Sequence, residues 1–383
     1  MRNRIICAVG LLVAILGGAV RHAQTQQPLP GVVSRREIDP VLLTPPPIKA
    51  EPGFAATLVV PPGEMYDPLS VLPRSDGMLW INDDGGVAGD RGGYVWGVDR
   101  TGKVTRVIDA SRMMPSTGFD VAPAGFGQWG GQILTLSTPT VARIGVQQSH
   151  IIERVDPRTR ELSQTICTLP NHGAVNGGVP AAGIEARFGP PGSPFANRFF
   201  SITIRNNTIY QTTADGACKP FATFDGGPWG LAFSPDGSKM LVTVRRRTAG
   251  TTGSSSAKGT IVSVRPDGTI DSTPVFEHSD PTIFDVEVAP AKFGAYGGQL
   301  FFTDWGANMT EGSDKPPKWD GTLYRVSRDG KAHLVASGFS NPSGIAFVGN
   351  SIWVADVNRD GPFLAGQWVP DGFLVRIDIR KPQ

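Results

Sequence analysis

One pattern recurs along this chain: a short apolar strand opens just after a Gly, Asp or Pro, and a second apolar strand follows within a few residues. The openings are DPLSVLP from Asp67, FDVAP from Phe119, GIEARF from Gly183, GLAFSP from Gly230, FDVEVAP from Phe284 and SGIAFVG from Ser343. Their partners are MLWIND, QILTLS, RFFSIT, KMLVTV, QLFFTD and SIWVAD. Two copies stay alike throughout, FDVAPAGFGQWGGQILTLS from Phe119 and FDVEVAPAKFGAYGGQLFFTDWG from Phe284. A third and usually a fourth strand follow, as in GTIVSVRPDGTIDSTPVF from Gly259 and GTLYRVSRDGKAHLVASG from Gly321. A period of about 55 residues suits a four-stranded antiparallel blade and is too long for a leucine-rich or ankyrin unit. The 48 Gly and 33 Pro among 383 residues supply the turns such a chain needs. Six openings predict an all-β chain folded as a six-bladed β-propeller of four-stranded antiparallel blades.

The last unit is one strand short, because the chain is nearly finished after GFLVRIDI at Gly372. At the other end GFAATLVV, from Gly53, is a strand without a blade. Pairing the two completes blade six, closes the ring and covers an edge that would otherwise template aggregation.

Ahead of the repeats, Arg2 and Arg4 precede an apolar run from Ile5 to Val20, with Gly17 and Ala19 placed for a signal peptidase. The run is shorter than the ~20 residues of a spanning helix, so membrane attachment is expected only if this segment stays uncleaved. The expected organisation is a signal peptide over 1–23, a Pro- and Gln-rich linker over 24–52 and the propeller over 53–383, in a protein that is periplasmic or secreted. Cys167 and Cys218 then remain and could pair, although both fall on outer strands of neighbouring blades, which splay apart. Formal charge is +2 and falls to zero without Arg2 and Arg4. The only short basic run is Arg245, Arg246 and Arg247, which argues against a nucleic-acid surface. GFGQWG, Gly125 to Gly130, matches a dinucleotide fingerprint but precedes a strand and opens no helix.

The units PWGLAFSPDGSKMLVTV and GFSNPSGIAFVGNSIWVADVNRD resemble those of six-bladed propellers in the TolB-like group, which includes NHL repeats, SMP-30/gluconolactonases and soluble quinoprotein sugar dehydrogenases. The resemblance runs from about Gly53 to Ile379. It implies the fold, and with it a metal- or quinone-assisted enzyme as one expectation.

Strand alternation puts the loop entering the inner strand and the loop leaving the second strand on one face. On that face the second-to-third loops are long, as in DDGGVAGDRGG from Asp83, RRRTAGTTGSSSAKG from Arg245, DWGANMTEGSDKPPKWDG from Asp304 and DVNRDGPFLAGQWVPDG from Asp356. The opposite face carries tight turns: DRTGK, RPDGT and SRDGK. Long loops cost ordering entropy, so the ligand is expected on the long-loop face. His150, His172 and His278 fall there, and His172, His278, Asp304 and Arg245 are the catalytic candidates. Asp83, Asp304 and Asp356 end their second strands, where in NHL-like blades such an Asp braces its own loop.

The resemblance implies a divalent metal held by residues just before an inner-strand Gly. That column reads Asp67, Phe119, Ala182, Trp229, Phe284 and Ser343, of which only Asp67 could serve. The next column places Asp120 and Asp285 to line the channel, with Glu287 beyond. In DVNRDG, Asp356, Asn358 and Asp360 alternate before a Gly as in the start of an EF-hand loop, although the twelfth position, Gln367, lacks the bidentate carboxylate. Calcium or another divalent cation is the expected metal; pyrroloquinoline quinone is the other cofactor the resemblance implies, with no motif that places it. Three functions follow as expectations: an exported enzyme on a small sugar- or lactone-like ligand, a non-catalytic propeller binding a protein, peptide or glycan partner, and a tethered envelope component.

Overall fold

The computed structural model describes residues 43–83, 94–108, 116–137, 151–156, 162–169, 185–204, 206–245, 258–279, 282–306, 319–358, 363–364 and 367–380. They form six antiparallel blades around a central channel, as the repeat predicts. The inner strands are Pro68–Pro73, Ser116–Val121, Ala186–Phe188, Gly227–Phe233, Ile283–Val288 and Pro342–Val348. Each pairs with a second strand, beginning with Leu79–Asp83 in blade one and ending with Ser351–Asp356 in blade six.

Burial follows position in the blade. The second strand Leu79–Asp83 is buried throughout, because neighbouring blades cover both its faces, whereas the outer strand Cys218–Thr223 is mostly solvent-facing. The apolar residues collect into cores between adjacent blades. Between blades five and six Phe293, Phe301, Phe339 and Phe373 are all fully buried, each worth about 1.5–3 kcal/mol relative to exposure.

Phe54–Met65 pairs antiparallel with Gly372–Ile379, from Phe54 opposite Ile379 to Met65 opposite Gly372, and so supplies the missing strand of blade six. Just ahead of it, in the segment read as linker, Lys49–Ala50 adds a fifth strand to the outer edge of blade five, with Lys49 opposite Ser337. The segment from Lys49 to Met65 therefore crosses from blade five to blade six.

The inner strands are stitched by side chains. The Ser343 hydroxyl donates to the Pro68 carbonyl (2.6 Å), joining blades six and one. Thr243 Oγ1 donates to the Phe284 carbonyl (2.7 Å), joining four and five, and Thr303 Oγ1 to the Ser343 carbonyl (3.0 Å), joining five and six. The strands approach so closely that a Cβ on Gly230 would lie 2.7 Å from the Asp285 Cα, and one on Gly118 would lie 2.1 Å from the Ala186 nitrogen. Glycine is required at both positions.

The twin stretches form one device used twice. Gly127–Trp129 and Gly294–Tyr296 are matching single 3-10 turns between strands, with no helix for a pyrophosphate. The Gln after each turn is held by an Arg of the third strand: Arg154 donates to Gln132 Oε1 (2.9 Å) and Arg325 to Gln299 Oε1 (3.0 Å). Cys167 and Cys218 form a disulfide, contrary to the expected splaying of outer strands. Their Cα atoms are 6.3 Å apart because blades two and three converge there on the core that contains Trp129.

Candidate functional site

At the long-loop end, the second-strand aspartates hold the chain that enters their own blade. Asp83 accepts the N–H groups of Tyr66 (2.8 Å) and Asp67 (2.7 Å) and the indole N–H of Trp96 (2.6 Å). Asp356 accepts the N–H groups of Ser340 (2.9 Å), Asn341 (3.0 Å) and Asn358 (2.6 Å). Burial pushes the Asp356 carboxyl up to about 7, against the pull of those three donors. Asp304 accepts from the Thr282 hydroxyl and the Gly306 N–H (2.9 Å), and its Oδ2 lies 3.4 Å from His278 Nδ1. His278 and Asp304 are thus brought together, but on the outer strand Phe276–His278, where the imidazole packs against Phe302 and Tyr324 and away from the channel. Arg245 ends the second strand of blade four. Asp67 is buried immediately before the first inner strand. His172 and Asp360 lie outside the described residues.

Beside these aspartates the channel is filled by apolar side chains. Phe284 stacks on Trp305 (4.3 Å between centroids), Trp229 packs on both, and Leu69, Ile204 and Val357 complete the plug.

The polar part of the channel lies beneath the plug. In four blades the inner strand ends with a hydrogen bond from a residue that precedes a Pro: Ala122 to Gln132, Gly189 to Arg198, Ser234 to Lys239 and Ala289 to Gln299. Counting back from these anchors gives one ring of Ser70, Gly118, Glu185, Gly230, Asp285 and Gly344, and a second, two residues on, of Leu72, Asp120, Arg187, Ala232, Glu287 and Ala346. Asp120 and Asp285, read from sequence as one column, therefore occupy different rings. Alignment of blade three on Gly183 is two residues out of step and so misses Glu185 and Arg187. The recurring AP, GP and SP pairs would have corrected this.

Arg187 organises both rings. Its Nε donates to Glu185 Oε1 (2.8 Å), a second guanidinium nitrogen bonds the same oxygen, and the third reaches Glu287 Oε1 on the inner strand of blade five. The other Glu185 oxygen accepts the Leu231 N–H (3.0 Å) of blade four. Asp120 accepts the N–H groups of Val121 (2.7 Å) and Phe188 (2.8 Å), and Asp285 those of Val286 (2.8 Å) and Ile345 (2.8 Å). These acids thus tie blade two to three, three to four and five to six. Burial raises the carboxyls of Asp120, Glu287 and, most strongly, Asp285, which also faces Glu185. Burial works against the Arg187 charge as well, but the carboxylates of Glu185, Glu287 and Asp285 outweigh it and hold the guanidinium well above its ordinary pKa.

Against these rings lies a cavity of about 270 Å³, just below the ~300–1,000 Å³ range of ligand pockets. Its lining combines Asp120, Glu185, Arg187 and Glu287 with the apolar Val71, Leu72, Phe119 and Phe347. It extends to Pro73 and Pro290, where the inner strands leave on the tight-turn face. A water-sized void of about 10 Å³ lies between it and the plug, bordered by Ser70, Glu185 and Asp285. The buried Ser70 hydroxyl, which borders both spaces, has no hydrogen-bond partner.

Among the described residues no group of three or more His, Cys, Asp or Glu is arranged to hold a metal ion. In the channel a guanidinium already sits between the carboxylates, and the oxygens of Asp120, Asp285 and Glu185 are engaged by N–H donors. At Asp356 three N–H donors converge on the carboxylate, an arrangement that opposes an incoming cation. A quinone bearing several carboxylates would meet one cation and four acids in the channel. The described residues therefore fit neither group.

No protein-family model matches the chain, and no curated protein matches it. Solved structures do, at the level of fold. The PQQ-bound aldose sugar dehydrogenase of Streptomyces coelicolor superposes with a TM-score of 0.56 at 14% identity, over 87% of this chain and 100% of that one. A glucose dehydrogenase-type oxidoreductase from Thermus thermophilus gives 0.55 at 15%, over 85% and 100%. A gluconolactonase of Xanthomonas campestris gives 0.54 at 15%, over 88% and 95%. The chain shares their six-bladed propeller architecture.

Proposed function

We propose that this is an exported propeller that handles a small polar ligand, sugar- or lactone-like, inside its central channel. The observation that carries the reading is a channel cavity whose lining combines carboxylates and a guanidinium able to bond hydroxyl groups, Asp120, Glu185, Glu287 and Arg187, with apolar residues such as Val71 and Leu72. The sugar-converting propellers that share the fold support the choice of ligand class. If the protein is an oxidoreductase or lactonase, its metal or quinone would be held outside the described channel, whose donors fit neither group.

A non-catalytic reading is favoured by one feature. The channel acids are tied into backbone N–H groups of neighbouring blades, which suits a rigid binding site better than groups that must exchange protons in turnover. Calorimetry with monosaccharides and aldonolactones, alongside dye-linked oxidation with added pyrroloquinoline quinone and calcium, separates the readings. Binding with turnover supports the enzyme, and binding alone supports a receptor. No binding of any member, with a protein or glycan partner captured on the long-loop face, would overturn the channel reading.

A further inference from the structure

We propose that Glu185 and Asp285 hold a single proton between them, and that this proton latches blades three to six around the channel as a pH-sensitive device. The latch goes beyond the reading above and does not depend on which ligand the channel takes.

Geometry brings the two acids together over blade four. Glu185 Oε2 accepts the N–H of Leu231 (3.0 Å), and Asp285 Oδ1 stands so close to the preceding residue that a Cβ on Gly230 would lie 2.6 Å from it. Both side chains border the same water-sized void, and they come within hydrogen-bonding reach of each other. Glu185 is 6% exposed and Asp285 5%, so solvent does little to screen the contact.

Charge then requires a proton. The titratable groups of the two channel rings are Asp120, Glu185, Asp285, Glu287 and Arg187, four acids and one base. The inner strands of blades one, four and six add none. All three guanidinium nitrogens of Arg187 go to Glu185 and Glu287, and Asp285 is left with the N–H groups of Val286 and Ile345. Two buried carboxylates in contact repel, whereas a carboxylic acid facing a carboxylate makes a charge-assisted hydrogen bond. The guanidinium fixes the negative charge on Glu185, so the proton sits on Asp285 and its O–H donates to Glu185. Burial, and then the Glu185 charge, raise the Asp285 carboxyl well above its ordinary range, in keeping with this assignment.

Position turns the pair into a latch. Glu185 of blade three is bonded to blade four, and Asp285 of blade five to blade six. Loss of the shared proton sets like charges against each other where these four blades meet. An acid whose folded pKa is raised adds stability that is fully present below its ordinary value and is lost as pH rises through the folded one. The latch is therefore closed in acid and strained in alkali.

Asp285→Asn in the full chain is the test, because its amide N–H can replace the carboxyl O–H toward Glu185 without a titratable proton. Denaturant unfolding is followed from pH 6 to pH 10 for wild type, Asp285→Asn and Glu185→Gln. The wild-type unfolding constant is expected to rise more steeply than that of Asp285→Asn, by up to about tenfold per pH unit, the weight of one proton. Taking the difference removes the part due to Asp120, Glu287 and Asp356, whose raised carboxyls are present in both proteins. Infrared spectra at pH 7 give a second readout. One carboxylic-acid C=O band is expected to be lost in Asp285→Asn and equally in Glu185→Gln, with no further loss in the double variant. Parallel pH profiles, or a band that Asp285→Asn leaves intact, overturn the proposal. A band lost in Asp285→Asn but kept in Glu185→Gln assigns the proton to Asp285 alone and overturns the sharing. Should Asp285→Asn fail to fold, Glu185→Gln decides by the same two readouts.

Discussion

Arg187 and Glu287 meet across the channel, joining the inner strands of blades three and five, which share no hydrogen-bonded edge. Blade four lies between them in sequence. The contact therefore spans the centre of the ring rather than one of its seams.

Removing that cation should be costly. Arg187→Met leaves Glu185, Asp285 and Glu287 facing one another in a buried site, and breaking such a pair typically costs about 3–5 kcal/mol. The loss should be largest at alkaline pH, where the raised carboxyls of Asp285 and Glu287 are pressed to ionise, and smaller near pH 5. Adding Glu185→Gln and Glu287→Gln should restore much of it. Chemical denaturation at two pH values checks this; a loss independent of pH would mean that packing, not charge, is what Arg187 supplies.

The closing strand gives a sharper contrast. Phe54, Val60 and Met65 are buried, so removal of residues 1–65 should abolish soluble, cooperatively folding protein. Removal of residues 1–47 spares both Lys49–Ala50 and the closing strand and should move the midpoint by only a few degrees. Equal thermal midpoints for the two truncations would refute the closure role.

Asp356 predicts a pH dependence with a definite sign. Its folded pKa of about 7 lies above the ordinary value of 3.8. Its contribution is thus fully present below about pH 4 and is lost as pH rises through 7. Asp356→Asn should flatten the fall in thermal midpoint between pH 5 and pH 8 relative to wild type. A variant whose pH profile runs parallel to wild type would show that Asp356 is ionised throughout.

The disulfide closes a loop with a sequence separation of 51, for which chain entropy gives about 4 kcal/mol. Cys167→Ser with Cys218→Ser should cost roughly 2–4 kcal/mol, and a reducing agent should destabilise only the parent. Identical melting of parent and variant under oxidising conditions would count against a structural bridge.

The strands were legible because each is a short apolar run cut off by Gly, Pro or Asp, and the missing strand of blade six could be found by counting. The aspartate braces were legible too, since Asp83, Asp304 and Asp356 all end second strands. The channel was not. Aligning blades on Gly183 hid Glu185 and Arg187, since Gly118, Gly230 and Gly344 answer to close approach of neighbouring strands and blade three carries Glu185 at that position. Loop length pointed to one face, yet it says nothing about what fills the channel beneath. Trp229 and Phe284 read simply as apolar residues at the start of inner strands, and only packing reveals them as a plug.

Pairing Phe54 with Ile379 also sets an order of events during synthesis. The strand made first among the blades must wait for its partner more than three hundred residues on, so no fragment lacking Gly372–Ile379 can close the ring. Contacts this distant in sequence slow folding and keep a strand edge open while the chain grows. Until that partner emerges, the nascent chain is an open arc whose two ends would each accept a stranger's strand.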